Sequence, residues 1–432
     1  VKQPFLMRLI YLFFRLLTWL ALTVFYRKRL ILGRENLRFK GPAIVVSNHP
    51  STLMDPLNVG LQVRHEMFFL ANYSLFKHPV SNWLLSRLFS IPVKRKEDVA
   101  EGEQRNNDAA FEASFRHLDG GGVLYIAAEG VSWMNRFVRP FKTGAARIAL
   151  GAEKRNGWKL GVKIIPVGLS YDAPNLFRSR VTVEYGAPIA AASWSAAEAE
   201  DHDRAVEAFT AQMENAVRAL TLDSDSEEND TFLSQAEEML RHASDLSDRE
   251  QYYRLKNWFA QNRHDTGLRR QMAEYFELLE KNQLSDAGMG GKTPWYLPVV
   301  LLLGLPFFCA GYAFWFLPCW LPWSLARRMN LYIGYDSNVK MLSGLLLFPL
   351  AFWGAWEGVY AVSTSKALAW SALPALAALG YWAEWWSGQF RLWRELSRAR
   401  ALRKKRPDDW GKLCVLREGL LSSLRNTTPP LF

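Results

Sequence analysis

Short apolar runs bounded by turn residues fill the first half of the chain, and long apolar runs fill most of its last third. Ala43–Val46, Met67–Leu70, Ile91–Val93, Val123–Ala127 and Val162–Tyr171 have the length and content of buried strands, and Arg180–Tyr185 alternates as a half-buried strand does. Pro166 predicts that its strand is irregular or near an edge, because proline has no N–H to give a ladder. Helical stretches at His78–Phe89, Asn106–Leu118 and Ala145–Glu153 separate the strands. Strands alternating with helices predict an α/β layer fold.

Ahead of this region, Phe5–Tyr26 is almost wholly apolar, broken by Arg8 and Arg15 and closed by Arg27, Lys28 and Arg29. The two inner arginines lie about two helical turns apart and share a face. No small-residue cleavage site follows, which argues against a cleaved signal peptide. The segment reads as a spanning helix or as a helix lying in the interface, and the cost of burying two arginines in hydrocarbon favours the second.

Beyond residue 192 the period becomes helical, with Val206, Phe209, Met213, Val217 and Leu220 forming one packing face. Phe232–Leu240, Tyr252–Phe259 and Leu268–Leu279 continue as an accessory helical region, the last with a stripe of Met272, Tyr275, Phe276 and Leu279. Asp223–Asp230 reads as a solvated linker, and the glycines of Ser285–Gly291 as a boundary. Trp295–Trp323 is apolar but holds four prolines and is too short for two full crossings; Met341–Val362 and Leu368–Trp386 are clearer spans. The expected organisation is a docking helix (1–32), an α/β domain (33–220), a helical accessory region (221–292), membrane-embedded helices (293–390) and a basic tail (391–432).

Composition sharpens this picture at three points. A formal net charge of +11 on 432 residues implies anionic partners. Three cysteines exclude a disulfide framework. The 18 tryptophans crowd after Trp295, as interface belts do, so the basic run Arg391–Arg406 is expected to meet anionic lipid and not nucleic acid. An even number of crossings after residue 292 would keep both the α/β domain and this basic run on the cytoplasmic side, which favours a re-entrant or interfacial Trp295–Trp323.

Candidate chemistry centres on I-V-V-S-N-H-P-S-T-L-M-D-P, Ile44 to Pro56. A buried strand breaks at Ser47-Asn48, His49 follows at once, and Asp55 comes six positions later between Met54 and Pro56. An imidazole can take a hydroxyl proton near neutral pH while a carboxylate fixes its tautomer and steadies the imidazolium. The same residues also fit an ordinary helix start, with Ser47 or Asn48 as cap and His49 and Asp55 solvated. Lys94-Arg95 is either a solvated strand end or a phosphate clamp. Glu129-Gly130 follows another buried strand, with a glycine that lets a ligand approach the backbone. Arg136, Arg139 and Lys142 precede a helix start whose free N–H groups would add to an anion site.

These stretches resemble a known family when taken together. N-H-P-S-T-L-M-D-P, I-P-V-K-R, A-E-G-V-S followed by P-F-K-T-G-A-A-R-I-A-L, and I-I-P-V-G-L-S-Y are similar, in order, to the four sequence blocks of the glycerolipid acyltransferases, the glycerol-3-phosphate and lysophosphatidic acid acyltransferases. The likeness covers roughly residues 30 to 190. It implies a layered α/β acyltransferase domain with a mixed central sheet, acyl transfer from acyl-CoA or acyl carrier protein to a phosphorylated acceptor, and no cofactor or metal beyond that co-substrate. It implies His49 and Asp55 as the catalytic pair. Arg95 would read the acceptor phosphate, Glu129 and Gly130 would help bind the acceptor, and the stretch around Pro166 would shape the acyl side; Lys94, Arg139 and Lys142, as cations near these blocks, are the further candidates for phosphate binding. Five residues separate His49 from Asp55 where four are commoner, as in a subgroup of glycerol-3-phosphate or dihydroxyacetone phosphate acyltransferases, which favours glycerol-3-phosphate. Ala128 stands where the third block usually has proline, and Val131-Ser132 follow its glycine. No Gly-x-Ser-x-Gly elbow and no cysteine near His49 call for a covalent acyl-enzyme. A non-catalytic lipid-handling membrane subunit is the competing expectation.

Overall fold

The computed structural model describes residues 5–79, 82–83, 85, 89–94, 106–243, 245–290 and 294–427. The chain divides into two compact units, Val1–Asp225 with Leu331–Asn338, and Ser226–Asn330 with Val339–Phe432.

The first unit is built on one sheet: β1 (Lys28–Leu32), β2 (Ala43–Ser47), β3 (Met67–Asn72), β4 (Ser90–Val93), β5 (Val123–Ala127), β6 (Lys163–Tyr171), β7 (Arg180–Tyr185) and β8 (Ile189–Ala190). The order is β1-β7-β6-β2-β5-β3-β4, with β8 beside β6. It is mixed: β2, β3, β4, β5 and β6 run parallel, while β7 and β8 are antiparallel to β6. All five residues of β2 are buried at its centre, which is why that stretch is continuously apolar. Ile44 and Val46 join a core formed with α3 (Asp108–Asp119), α4 (Gly144–Arg155) and α6 (His202–Leu220), the last preceded by the short α5 (Ser195–Glu200). On the other face lies α2 (Met54–Gly60), tied to β7 by Tyr185 Oη donating to the Val59 carbonyl at 2.8 Å.

Several elements differ from the expectation. Pro166 lies in an interior strand. Its missing N–H falls in the gap between the β8 pairing, which ends at Ile164, and the β7 pairing, which begins at Val167, so no ladder bond is lost. Its carbonyl is used, accepting from the Gly186 N–H at 2.8 Å. The apolar pattern gives no hint of β1, whose first residues were read as a basic flank; it pairs parallel with β7. Asp223–Asp230 crosses the boundary between the two units and exposes Asp225, Glu227 and Glu228, but its start is packed and not solvated. Asp223 accepts from the Val138 N–H at 2.9 Å and pairs with Arg218, and Ser224 is fully buried. The expected helix His78–Phe89 falls largely outside the described residues.

The N-terminal helix α1 (Phe5–Phe25) has its two arginines on one face, as their spacing requires, but that face meets protein. Arg15 donates to the Val63 and Leu61 carbonyls at 2.8 and 2.9 Å, and Arg8 pairs with Glu66 at 3.4 Å. The adjoining face exposes Leu9, Leu12, Phe13, Leu16 and Leu20.

The second unit is helical: α7 (Glu227–Ala243), α8 (Asp248–Asn262), α9 (Thr266–Lys281), the short α10 (Asp286–Met289), α11 (Leu297–Arg328), α12 (Asp336–Ser363), α13 (Lys366–Lys405) and α14 (Pro407–Asn426). Met272, Tyr275 and Leu279 are buried along α9, as their spacing predicts. The region expected as a basic tail is folded: α14 buries Leu413, Leu420, Leu421 and Leu424, and Arg417 grips the fully buried Asp286 at 2.7 Å. The segment expected to be re-entrant or interfacial is not re-entrant: it forms a single 32-residue helix through Pro306, Pro318 and Pro322. It packs along α13, where Trp315, Trp382 and Trp386 link the two helices through indole N–H bonds to backbone carbonyls. Among the described residues, Phe5–Phe25, Leu297–Arg328 and Ile333–Ser363 are long and apolar enough to cross a membrane. The expected span Leu368–Trp386 is instead part of the 40-residue α13.

Gly33 gives the sharpest steric test of the sheet edge. It follows β1 at φ +68°, and a Cβ there would sit 2.0 Å from the Tyr185 carbonyl oxygen. Gly33→Ala is therefore expected to cost at least about 1–3 kcal/mol of stability from the backbone strain alone. A melting temperature equal to that of the parent in the same detergent would refute this.

Candidate active site

The site forms where β2 and β5 end side by side. Ser47, the last residue of β2, bonds through Oγ to Tyr125 Oη at 2.7 Å, and its carbonyl accepts from the Ala128 N–H at 3.1 Å. Asn48 ties the exit of β2 to β6: Oδ1 accepts from the Leu169 N–H at 2.8 Å and Nδ2 donates to the Leu169 carbonyl at 2.9 Å. Neither residue caps α2, whose N-cap position is Leu53. The chain then delivers His49, whose Nδ1 lies 2.9 Å from Asp55 Oδ2.

Asp55 is wholly buried in the first turn of α2, and its two oxygens are fully engaged. Oδ2 also accepts from the Ser51 N–H at 2.8 Å, and Oδ1 accepts from Tyr171 Oη at 2.7 Å. With Nδ1–H given to this carboxylate, the second ring nitrogen of His49 carries the lone pair. The His49 side chain keeps 12% of its surface exposed, so this pair is neither solvated nor sealed. Burial beside Asp55 pushes the Tyr171 phenol well above its usual range, so Tyr171 acts as a permanent donor.

Two further predicted residues join this corner. Glu129 is buried, and burial raises its carboxyl to about 8 against the pull of the Arg139 and His49 backbone N–H groups. Gly130 follows at φ +75°, with Lys142 packed 3.3 Å from where a Cβ would stand. The Lys142 N–H bonds to the Ala128 carbonyl at 2.8 Å. Arg139 lies over the rings of Trp133 and Phe137 at 4.2 and 4.6 Å, and its Nε is buried with no partner among the described residues. Lys94 follows β4, which lies three strands from β2 and so about 14 Å away at ordinary strand spacing. Its backbone is held by Asn107, and its ammonium lies 5.3 Å from the centre of the Tyr73 ring. Arg95 lies outside the described residues. Among the described residues no three His, Cys, Asp or Glu side chains gather as a metal site requires.

Residues 28–170 match the Acyltransferase family. Glycerol-3-phosphate O-acyltransferase 2 of Saccharomyces cerevisiae is 39% identical over 87 residues, 20% of this chain and 12% of the yeast protein. Glycerol-3-phosphate O-acyltransferase 1 of the same yeast is 36% identical over 84 residues, 19% of this chain and 11% of its own length. The chloroplastic 1-acyl-sn-glycerol-3-phosphate acyltransferase BAT2 of Brassica napus is 26% identical over 153 residues, 35% of this chain and 40% of that one. Residues 28–170 therefore form an acyltransferase domain of this chain. The crystal structure of the 1-acyl-sn-glycerophosphate acyltransferase PlsC from Thermotoga maritima aligns over 46% of this chain and 76% of its own, at 21% identity and a TM-score of 0.34, too loosely to carry weight. The chain spans about an eighth of the length of the yeast relatives it matches.

The acyltransferase domain holds supports that the sequence pattern does not show. Tyr171 ends a strand read only as apolar. A second support comes from far along the chain: Leu331–Asn338 belongs to the same compact unit as the His–Asp loop. Thr52 Oγ1 donates to the Gly334 carbonyl at 3.0 Å and accepts from Asn338 Nδ2 at 2.6 Å, and Ser51 Oγ lies 3.2 Å from Ser337 Oγ. The Thr52 N–H bonds to Ser132 Oγ at 3.0 Å. These bonds hold Thr52 at φ 42°, a conformation costly for a β-branched residue. No sequence signal links positions so far apart.

The raised Glu129 carboxyl makes a signed prediction. A group whose folded pKa lies near 8, above the ordinary 4.5 of a glutamate, favours the fold while protonated, so its contribution is lost as pH rises through that window. The stability of Glu129→Gln relative to the parent is expected to improve steadily from pH 4.5 to 8 and to level off above. Thermal melts of both proteins at pH 5, 7 and 9 check this, and a constant gap would refute it.

Proposed function

We propose that this protein is a membrane-bound O-acyltransferase that moves a fatty acyl group from acyl-CoA or acyl carrier protein to a hydroxyl of glycerol-3-phosphate, giving lysophosphatidic acid. The observation that carries the reading is the His49–Asp55 pair: one imidazole nitrogen bonded to a buried carboxylate, the other left as a base at a partly open corner. In the proposed step His49 takes the hydroxyl proton as the oxygen attacks the thioester carbonyl. The tetrahedral adduct collapses, the C–S bond breaks, and the departing thiolate takes the proton back from the imidazolium. Transfer is direct, within a ternary complex. Arg139 and Lys142, beside Gly130, hold the acceptor phosphate, and Lys94 and Arg95 form a more distant basic approach to it. Glu129, largely neutral at pH 7, meets an acceptor oxygen beside Gly130 without repelling the dianion.

Glycerol-3-phosphate is favoured because the two yeast relatives named for it match at the higher identities. The longer likeness to the Brassica protein supports lysophosphatidate as the second acceptor to try. Placement at a bilayer is supported by the three long apolar helices. An acceptor panel of glycerol-3-phosphate, dihydroxyacetone phosphate and lysophosphatidate, with labelled acyl-CoA and the purified full chain, tests the reading. Glycerol-3-phosphate should be the best acceptor, and His49→Ala should lower turnover at least about a hundredfold. Equal turnover by His49→Ala would remove the assigned base. A clear preference for lysophosphatidate would move the chain to the second acceptor. Inactivity of the parent with every acceptor and either donor would leave a non-catalytic lipid-handling subunit.

A further inference from the structure

Away from the His–Asp corner, a cavity of about 480 Å³ opens between α1, β1 and the end of α2. Three arginines line it, Arg15, Arg29 and Arg34, and among the described residues no carboxylate does. Its outer lip is apolar: Leu12, Leu16 and Trp19 line it and are 58%, 56% and 49% exposed. They continue the exposed face of α1 that carries Leu9, Phe13 and Leu20.

The cations are incompletely satisfied. Arg15 is anchored by the carbonyls of Leu61 and Val63, which orient its guanidinium without neutralising it. Arg29 gives Nε to Asn58 Oδ1 at 3.2 Å, but its Nη2 is buried with no partner among the described residues. A buried donor left unmade is costly, and a like charge on Arg34 adds to the cost. An anion with several oxygens would satisfy all three groups, and guanidinium forks match phosphate oxygens. Arg29 does not touch Asp55 directly: Asn58 and Tyr171 link the two through hydrogen bonds.

We propose that this recess binds the phosphate of an anionic glycerophospholipid, whose hydrocarbon chains lie along the exposed apolar face of α1. A free phosphate would use the arginines but not the lip. A membrane lipid uses both, and it would seat α1 at the surface by charge as well as by burial. The proposal does not depend on the acyl-transfer reading, because it concerns retention of a lipid and not its conversion.

Calorimetric titration of the purified full chain in zwitterionic detergent tests it, with three probes: short-chain phosphatidic acid, short-chain phosphatidylcholine and inorganic phosphate. Phosphatidic acid should bind saturably and more tightly than the other two. Arg34→Gln, at an exposed position, should weaken that binding about tenfold or more. Arg139→Gln, altered at the other basic site, should bind as the parent does. A parent-like affinity in Arg34→Gln, or loss in Arg139→Gln in its place, would overturn the site. Inorganic phosphate binding as tightly as phosphatidic acid would overturn the lipid assignment. A melting temperature of Arg34→Gln matching the parent's shows that weakened binding reflects the recess and not the fold.

Discussion

A carboxylate with no exposed surface sets the architecture of the candidate catalytic corner. Asp55 is tolerated in the interior only because each oxygen is met by a donor. The donors come from three places: the His49 ring at the exit of β2, the Ser51 N–H in the loop, and the Tyr171 hydroxyl at the end of β6. That convergence requires β6 to lie beside β2. The parallel register pairs Ser47 with Val167, after which β6 runs on to Tyr171, over the loop that β2 has just released. Asn48 locks the register through two bonds to Leu169. Remove any of these and a buried charge is left wanting, which costs more than an exposed pair would ever gain.

Much of this corner was legible in the residues. Ala43–Val46 reads as a buried strand because both faces of β2 are covered, and a His–Asp spacing closed by prolines marks a rigid loop at its end. The choice between a base and a solvated helix start was not legible. It turns on burial and on which atoms Ser47 and Asn48 bond, and both depend on neighbours more than 70 residues away. Tyr171 was hidden for the same reason, since a tyrosine closing an apolar strand resembles any core aromatic. The Leu331–Asn338 segment left no trace at all, because its bonds to Ser51 and Thr52 join positions some 280 residues apart.

The differences at the sheet edge and in the helices share one cause: local composition does not show a residue's partners. Pro166 argues for an edge only if every N–H of the strand is needed, and at the break between β7 and β8 it is not. Arg8 and Arg15 suggest headgroups only if protein carbonyls and Glu66 are not nearer. Three prolines suggest a broken segment, yet α11 continues through them while tryptophan N–H groups tie it along α13. The basic run after Arg391 suggests a tail until the leucines of α14 are seen to be buried.

The His–Asp pair is the claim on which the rest stands, and Asp55→Asn probes it with the least disturbance to shape. The amide keeps the volume but replaces one acceptor oxygen by a donor, so the His49 ring loses the partner that fixes its tautomer and steadies its charge. Turnover of glycerol-3-phosphate with acyl-CoA by a folded Asp55→Asn protein is expected to fall at least about a hundredfold, with the acceptor KM little changed. Turnover within twofold of the parent's would contradict the account.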